Sequence, residues 1–230
     1  MRTPRSINHL TPINQPHCIL PCGVIESNGM QINADWTLVE QIQAGDDRAF
    51  DALMARYKRP VINFVYRMIG DASEAEDLAQ DVFVRAYQNI RKPGFHQTTG
   101  AFSTWLFQVA RNAALDGLRW RKRHPARSAT HSVADGPAEF PSAWEDNGQQ
   151  VAVTDRSPDR EIAVKEIGEQ IVAVISLLPE DQKTAFILAE YQELSYAEIA
   201  AIMKCSVKSV ESRLYRAKQF LRDRLRDLLE

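Results

Sequence analysis

The sequence has few cysteines, no long apolar run and no excess of charge of one sign. Three cysteines in 230 residues are too few for a disulfide framework, which favours a reducing compartment. No apolar run approaches the roughly 18 residues of a membrane-spanning helix, and prolines interrupt the amino-terminal segment where a secretory signal would need an apolar core. We therefore expect a cytoplasmic protein. Because the formal net charge is only -2, any contact with nucleic acid must come from local basic patches.

Motifs for catalysis and cofactor binding are also missing. The chain has no Gly-rich phosphate loop, nucleophile elbow or HExxH pair, so we expect neither an enzyme nor a cofactor nor a small-molecule substrate. Four potential metal ligands lie near the amino terminus, namely His9, His17, Cys18 and Cys22. Their loose spacing in a proline-rich segment argues against a zinc site.

Helical periodicity begins abruptly after an amino-terminal arm at residues 1–34. This arm is rich in Pro, Asn and Gln and shows no helical period, which predicts a flexible segment. Asp35 is predicted to cap the first helix, and Asp46 or Asp47 the second. Pro60 is expected to start a third helix, because proline suits the first turn better than a helix interior.

Two more predicted helices complete an all-helical first domain over residues 35–123. Ser73 and Glu76 have the spacing of a capping box, which predicts the start of the fourth helix. A long fifth helix is predicted from about Ala101 to Lys122. Its predicted inner face consists of Phe102, Trp105, Leu106, Val109 and Ala113.

A linker and a second helical domain follow. Residues 124–160 contain four prolines and six acidic against three basic side chains, which predicts a flexible acidic linker. Helical periodicity returns over residues 161–230, where Ser195 and Glu198 form a capping box and residues 204–206 form a turn before the last helix. The sequence therefore predicts an all-α protein of two small helical domains, the second a helix-turn-helix.

The last predicted helix has the chemistry of a DNA-recognition helix. Its predicted buried stripe consists of Val210, Leu214, Ala217 and Leu221. The candidate DNA contacts are Lys208, Ser209, Ser212, Arg213, Tyr215 and Arg216. Arginine can bind a guanine edge with two hydrogen bonds, and lysine or serine can reach base edges or phosphates. The alternative is a solvated basic helix, but the capping box, the turn and the polar face agree in register and favour DNA binding.

The fourth predicted helix carries an acidic face. Glu74, Asp77 and Asp81 are spaced by three and four residues, which places them on one side of the helix. Like charges at this spacing destabilise a helix by roughly a few tenths of a kcal/mol, and a basic partner would offset that cost. The face is either solvated, which is the better interpretation of this helix alone, or a docking surface.

The fifth predicted helix carries a polar and basic face. Its outward side chains include Thr104, Gln108, Arg111, Asn112 and Arg119, and its last turn contains Arg121, Lys122 and Arg123. Such a face suits contacts with a DNA backbone and with exposed bases. Phe102 and Trp105 on the same helix are assigned to the core.

Three runs of the sequence resemble the bacterial RNA polymerase sigma factors of the extracytoplasmic-function (ECF) class. They are DASEAEDLAQDVFVRAYQNI, AFSTWLFQVARNAALDGLRWRKR and, after the acidic linker, LPEDQKTAFILAEYQELSYAEIAAIMKCSVKSVESRLYRAK. The similarity extends over about residues 35–228. It implies a two-domain initiation factor whose first domain binds the clamp of the largest polymerase subunit and opens the promoter -10 element, while the second reads the -35 element.

The resemblance also implies roles for individual residues. The implied polymerase contacts are Glu74, Asp77, Gln80 and Asp81. The implied contacts with -10 DNA are Phe95, Gln108, Arg111, Asn112, Arg119 and Lys122. Asn112 corresponds to a family position that receives a base turned out of the stack, and the loop at residues 95–100 corresponds to the loop that helps to hold it.

Further partners follow from the same resemblance. It implies core RNA polymerase, promoter DNA and an anti-sigma protein, which can be membrane-linked, and it directs the acidic linker toward the RNA exit path. The chain departs from its relatives at Glu211 on the recognition helix and in the arm at residues 1–34. The alternatives are a sigma mimic that only sequesters an anti-sigma protein and a stand-alone helix-turn-helix repressor. Neither needs both an acidic docking helix and two DNA-facing surfaces.

Overall fold

The computed structural model describes residues 27–95, 100–124 and 170–229, with side chains from residue 34 to residue 226 within those ranges. These residues form helices and turns without a strand, which confirms the all-α prediction. The four potential metal ligands lie outside the described residues, as do residues 1–26 of the arm, residues 125–160 of the predicted linker and residues 161–169 of the predicted second domain. In the described part of the chain, no helix is long and apolar enough to cross a membrane.

Four helices form the first domain. They are α1 (Ser27–Gln43), α2 (Arg48–Ile69), α3 (Ala72–Ile90) and α4 (Phe102–Arg123). Apolar side chains from all four meet in one core that includes Trp36, Val39, Ile42, Leu53, Phe64, Val82, Phe102 and Leu106. The predicted fifth helix is therefore confirmed as α4, with its bounds shifted by one residue at each end.

Asp35 does not cap a helix, contrary to the prediction from sequence. It lies inside α1 and is 2% exposed, and its carboxylate accepts hydrogen bonds from Arg56 and from the Tyr57 hydroxyl, both on α2. Burial, followed by the hydrogen bond to Asp35, raises the pKa of Tyr57 above its ordinary value. A carboxylate with these two partners is satisfied within a helix and does not need a cap position.

Pro60 does not start a helix, because α2 continues through it. An interior proline costs a helix about 3 kcal/mol. The stripe formed by Leu53, Val61, Phe64 and Met68 is at most 1% exposed, and burying each such side chain contributes roughly 1.5–3 kcal/mol. Packing on both sides of the proline therefore outweighs its local preference.

Asp71, not Ser73, caps α3. The Asp71 backbone is extended, and its carboxylate accepts a hydrogen bond of 2.8 Å from the backbone N–H of Glu74. Gly70, whose φ of 80° few other residues adopt, ends α2 immediately before this cap. The predicted capping box of Ser73 and Glu76 is therefore wrong. The cap lies two residues earlier, because α2 ends at Gly70 and the next residue already caps α3.

The second domain matches its predicted helix-turn-helix. Residues 170–176 are helical and are followed by α5 (Glu180–Glu190), α6 (Tyr196–Met203) and α7 (Val207–Leu229). The Ser195 and Glu198 capping box is present, and Ser206 Oγ accepts from the backbone N–H of Ser209 at 3.2 Å. The stripe of Val210, Leu214, Ala217 and Leu221 is buried as predicted.

The two domains pack against each other, which the sequence did not indicate. Helix α5 contacts α2, and α6 contacts α4, so that the buried side chains of both domains form one continuous apolar cluster. At this junction Thr184 Oγ1 lies 3.6 Å from the sulfur of Met68. The polar face of α4 therefore meets the second domain.

Candidate polymerase and promoter surfaces

A groove of about 570 Å³ lies between α3 and α4. Its lining includes Asp77, Gln80, Asp81 and Arg85 of α3 and Asp116, Gly117, Trp120 and Arg123 of α4. A Cβ atom at Gly117 would lie only 3.0 Å from Leu78 Cδ1, so the glycine allows the two helices to approach closely. The predicted acidic face thus forms one wall of a groove.

The acidic residues of this groove differ in their surroundings. Glu74 accepts a hydrogen bond of 2.6 Å from Arg121 Nη2, which ties α3 to α4. Asp77, Gln80 and Asp81 are exposed, and neither aspartate forms a salt bridge within the described ranges. Two carboxylates of this groove therefore form no salt bridge in the described residues, although Arg85 and Arg123 also line it, while Glu74 has a structural partner.

Trp120 is an apolar member of the groove that the sequence analysis missed. It is 41% exposed, and its ring stacks on the exposed His124 at 4.8 Å between ring centroids. An exposed tryptophan beside acidic residues is typical of a protein-docking surface, since aromatic side chains dominate the energetics of interfaces. The only signal in the sequence was its place in the basic last turn of α4.

The polar face of α4 is only partly open to solvent. Asn112, Arg119 and Lys122 are exposed, whereas Gln108 and Arg111 are half-buried. The Arg119 guanidinium lies 3.0 Å from Asp116 Oδ1 on its own helix. Five of the six predicted -10 contacts therefore share one helix and one side of the domain.

Phe95, the sixth predicted contact, lies in an aromatic cluster. It is half-buried, with its ring centroid 6.0 Å from that of Trp36 and 4.9 Å from that of Trp105. The Trp36 indole N–H donates to the Gly100 carbonyl oxygen at 3.2 Å, which holds the far end of the loop against α1. Residues 96–99 of the predicted base-holding loop lie outside the described residues.

Two ion pairs join the α4 face to the start of α5. Arg111 Nη2 lies 3.3 Å from Asp181 Oδ1, and Lys122 Nζ lies 2.7 Å from Glu180 Oε1. The hydrogen bond from Lys122 is the main reason that the pKa of Glu180 is lowered. Sequence analysis assigned neither acidic residue to a site.

Lys183 is the buried cation of this junction. It is 6% exposed, and this desolvation is the main cause that lowers its pKa. The negative charge of Glu180 raises the pKa, whereas the positive charges of Lys122 and Arg121 lower it further. The junction therefore buries one lysine next to other basic groups.

The recognition helix α7 exposes most of its predicted DNA contacts. Lys208, Ser212, Tyr215 and Arg216 are exposed, and Tyr215 is the most exposed large apolar side chain of the described residues at 71%. Ser209 is half-buried at the helix start, where its backbone N–H bonds to the Ser206 cap. Four of the six predicted -35 contacts are therefore open to solvent.

Arg213 is held inside its own domain. Its guanidinium donates to Asp181 Oδ2 at 3.0 Å and lies 3.1 Å from the Cys205 sulfur. Asp181 therefore binds one arginine of each candidate DNA surface, Arg111 on α4 and Arg213 on α7.

Comparison with known proteins identifies the family of each domain. Residues 53–124 match the family model of Sigma-70 region 2, and residues 168–221 match that of Sigma-70 region 4. The chain is 37% identical over 195 residues to the RNA polymerase sigma-H factor of Pseudomonas aeruginosa, covering 85% of this chain and 95% of that protein. It is 32% identical over 190 residues to the ECF RNA polymerase sigma factor SigW of Bacillus subtilis, covering 83% and 96%. The chain belongs to the ECF RNA polymerase sigma factors.

The fold of this ECF sigma factor also has solved counterparts. It is similar to CnrH in complex with the cytosolic domain of CnrY, with a TM-score of 0.58, 23% identity and coverage of 84% of this chain and 98% of that one. It is similar to the sigma factor RpoE in complex with the anti-sigma factor NepR from Bartonella quintana, with a TM-score of 0.55, 24% identity and coverage of 77% and 96%. The ECF sigma factor directs promoter-recognising transcription initiation, with a region 2 domain and a region 4 domain.

Proposed function

We propose that three surfaces of this sigma factor have separate roles in transcription initiation. The acidic groove between α3 and α4 binds the clamp of the largest polymerase subunit, the polar face of α4 holds -10 DNA, and the exposed face of α7 reads the -35 element. The observation that carries this proposal is the separation of charge on the region 2 domain. Asp77 and Asp81 face the groove and form no salt bridge in the described residues, whereas basic and amide side chains lie on the polar face of α4.

The groove suits a helical partner that presents basic and apolar side chains. Asp77 and Asp81 provide charge complementarity, which speeds encounter and fixes orientation, and Gln80 adds an amide. Trp120 provides an aromatic anchor at the other wall. Glu74 contributes less directly, because its ion pair with Arg121 fixes α3 against α4.

The α4 face suits melted promoter DNA. Arg111, Arg119 and Lys122 supply positive charge for backbone phosphates, while Gln108 and Asn112 supply amides that hydrogen bond to base edges. A pocket that receives an unstacked base recovers the few kcal/mol lost on unstacking. The aromatic cluster around Phe95 gives this face a rigid base next to the loop.

The exposed face of α7 suits the major groove of the -35 element. Arg216 and Lys208 lie on the solvent side of a helix whose other side is buried, as in other helix-turn-helix proteins. Glu211, also exposed, can accept a hydrogen bond from cytosine N4. The family match supports this role for the whole helix.

The proposed role also bears on the chemistry, compartment and regulation of the protein. We expect no catalytic activity, because sigma factors are DNA-recognition subunits, and we place the protein in the cytoplasm with the polymerase it serves. An anti-sigma partner, which can be membrane-linked, is also proposed, since RpoE was solved with an anti-sigma factor and CnrH with a domain of CnrY.

A charge reversal in the groove tests the polymerase-binding role. Asp77→Lys together with Asp81→Lys should weaken binding to core polymerase at least tenfold, because two complementary charges become repulsive. The matched control is Asp51→Lys with Glu76→Lys, which changes the net charge equally at exposed positions outside the groove. Affinity is measured by titrating labelled sigma factor with core enzyme, and circular dichroism melting checks the fold. Equal affinities for the two variants would contradict the proposal.

A further inference from the structure

We infer that helix α1 positions both ends of the loop at residues 95–100, and that Gln43 and Trp36 are the positioning residues. Gln43 binds Phe95 and Trp36 binds Gly100, which are the described residues on either side of residues 96–99. Neither side chain is among the candidate DNA contacts, so each acts on DNA only through the residue that it holds. The inference rests on the proposed role of Phe95 and α4 in binding -10 DNA.

The side-chain amide of Gln43 connects the end of α3 to the start of the loop. Its Nε2 donates to the Ile90 carbonyl oxygen at 3.1 Å and to the Phe95 carbonyl oxygen. Both partners only accept hydrogen bonds, so the NH2 group of the amide, with its two donors, must face them. Ile90 is the last residue of α3, and the last carbonyls of a helix have no partner within it. Gln43 therefore satisfies the helix end and fixes Phe95 to it.

The backbone between these two carbonyls is a tight turn with little support of its own. Residues 91–94 are exposed, so the turn buries no apolar side chain. The Phe95 N–H donates to the Lys92 carbonyl oxygen at 3.2 Å, and Gly94 has a φ of 87°, which few other residues adopt. A hydrogen bond that spans the turn therefore restricts where Phe95 lies.

Trp36 contacts both ends of the loop with one side chain. Its indole N–H donates to the Gly100 carbonyl oxygen at 3.2 Å, and its ring centroid lies 6.0 Å from that of Phe95. Trp36 is 7% exposed, which holds the indole in place within the core. Gly100 directly precedes Ala101, the amino-terminal cap residue of α4. The separation of the loop ends is therefore tied to α1 and to the start of α4.

The last turn of α1 gives Gln43 a rigid base. Ile42 is fully buried, and its carbonyl oxygen accepts from the Gly45 N–H at 3.0 Å, which closes the end of the helix. In the following turn, Asp47 Oδ1 accepts from the Tyr87 hydroxyl of α3 at 2.8 Å. Because α1 and α3 are joined in this way, loss of the Gln43 hydrogen bonds should be felt at Phe95 and not absorbed by movement of α1.

The position of Phe95 affects base preference more than overall activity. A pocket that captures an unstacked base must recover the cost of unstacking through contacts with that base. A displaced Phe95 would weaken the contacts with the preferred base more than those with other bases. Loss of the net contribution of one hydrogen bond changes such a ratio by about twofold to tenfold.

The test measures base preference by run-off transcription with the reconstituted holoenzyme on a library of promoters with random -10 and -35 elements. Gln43→Glu retains side-chain size but places a carboxylate without donors against two carbonyl oxygens. Gln41→Glu is the matched control, because it makes the same charge change at an exposed position of the same helix. Trp36→Phe removes the indole N–H and retains an aromatic ring. Preference is a ratio within one library, so loss of folded protein does not alter it.

We expect Gln43→Glu and Trp36→Phe to lower the base preference at the same position of the -10 element by about twofold to tenfold. Preferences in the -35 element should not change, and Gln41→Glu should match the wild-type chain throughout. Wild-type -10 preferences in Gln43→Glu would overturn the positioning role. An equal loss of transcription at all promoters would also overturn it, because that is the result of a purely structural role.

Asn112→Ala separates failure of this inference from failure of the proposed function. Asn112 is proposed to contact -10 DNA directly, so its replacement should change -10 preference whether or not α1 positions the loop. If Asn112→Ala changes that preference and Gln43→Glu does not, the inference alone fails. If neither variant changes it, the proposed role of α4 fails as well.

Discussion

At the residue scale, Arg213 and Arg216 show how neighbouring arginines of one helix take different roles. The guanidinium of Arg213 is bound by Asp181 and lies against Cys205, so its position is fixed by its own domain. Arg216 is exposed and forms no salt bridge in the described part of the chain. A guanidinium that is free of protein acceptors can use its fork of donors on a guanine edge, whereas Arg213 would first have to leave a carboxylate.

We therefore predict that Arg216→Ala reduces transcription most at promoters that share one base pair of the -35 element. Loss of a bidentate contact costs about 1–3 kcal/mol at that base pair, which corresponds to roughly 5-fold to 150-fold. Run-off transcription with core polymerase on a promoter library measures the change at each position.

Arg222→Ala is the matched control, because it removes an exposed arginine from the same helix farther from the turn. If Arg216→Ala lowers transcription evenly across the library, Arg216 contacts a phosphate and carries no base specificity. If Arg216→Ala and Lys208→Ala both leave promoter binding and its salt dependence unchanged, α7 does not read DNA.

At the scale of elements, α2 shows packing overriding a local signal. Its 22 residues run without interruption through Pro60, which carries no backbone N–H to bond with the carbonyl of Arg56 one turn earlier. The helix persists because its buried stripe continues on both sides of the proline, against α3, α4 and α5.

Pro60→Ala should therefore stabilise the protein. The substitution restores one helical hydrogen bond and removes the clash of the ring with the preceding turn, which together should contribute about 1–3 kcal/mol to the free energy of unfolding. Urea denaturation of the full chain, followed by circular dichroism, measures the difference. A loss of stability would mean that the half-buried proline ring makes contacts that alanine cannot replace.

The successes and failures of sequence-based prediction for these helices have a common explanation. Ser195, Glu198 and Ser206 were predicted correctly because each cap and its partner lie three residues apart, within the span that local patterns describe. Asp35 was assigned wrongly because its partners lie 21 and 22 residues away on another helix. Signals that depend on tertiary contacts are not visible in local spacing.

At the scale of the whole molecule, the same limit applies to the candidate site. The sequence predicted which stripe of α7 is buried and which face of α4 carries the candidate DNA contacts, since both stripes follow from helical periodicity. It did not predict that Arg111 and Asp181, 70 residues apart, form an ion pair across two domains. No local sequence pattern indicates how charged side chains of two separate domains meet.

The packing of the two domains has a consequence for polymerase binding. If the two domains must separate to bind the enzyme, core polymerase binds only the fraction of molecules in which they are apart. While the packed form predominates, any change that raises this fraction strengthens core binding by the same factor. Glu180→Gln with Asp181→Asn should therefore bind core polymerase about threefold to tenfold more tightly than the wild-type chain. Titration of labelled sigma factor with core enzyme at low ionic strength measures this difference.

Salt provides an internal control for this prediction. At about 1 M salt the screening length falls to roughly 3 Å, so the exposed ion pairs weaken in the wild-type chain and the advantage of the variant should largely disappear. Glu190→Gln with Asp223→Asn should match the wild-type affinity at both salt concentrations, because those acids pair within one domain. Equal affinity of the wild type and of Glu180→Gln with Asp181→Asn at low salt would mean that these two ion pairs do not oppose polymerase binding.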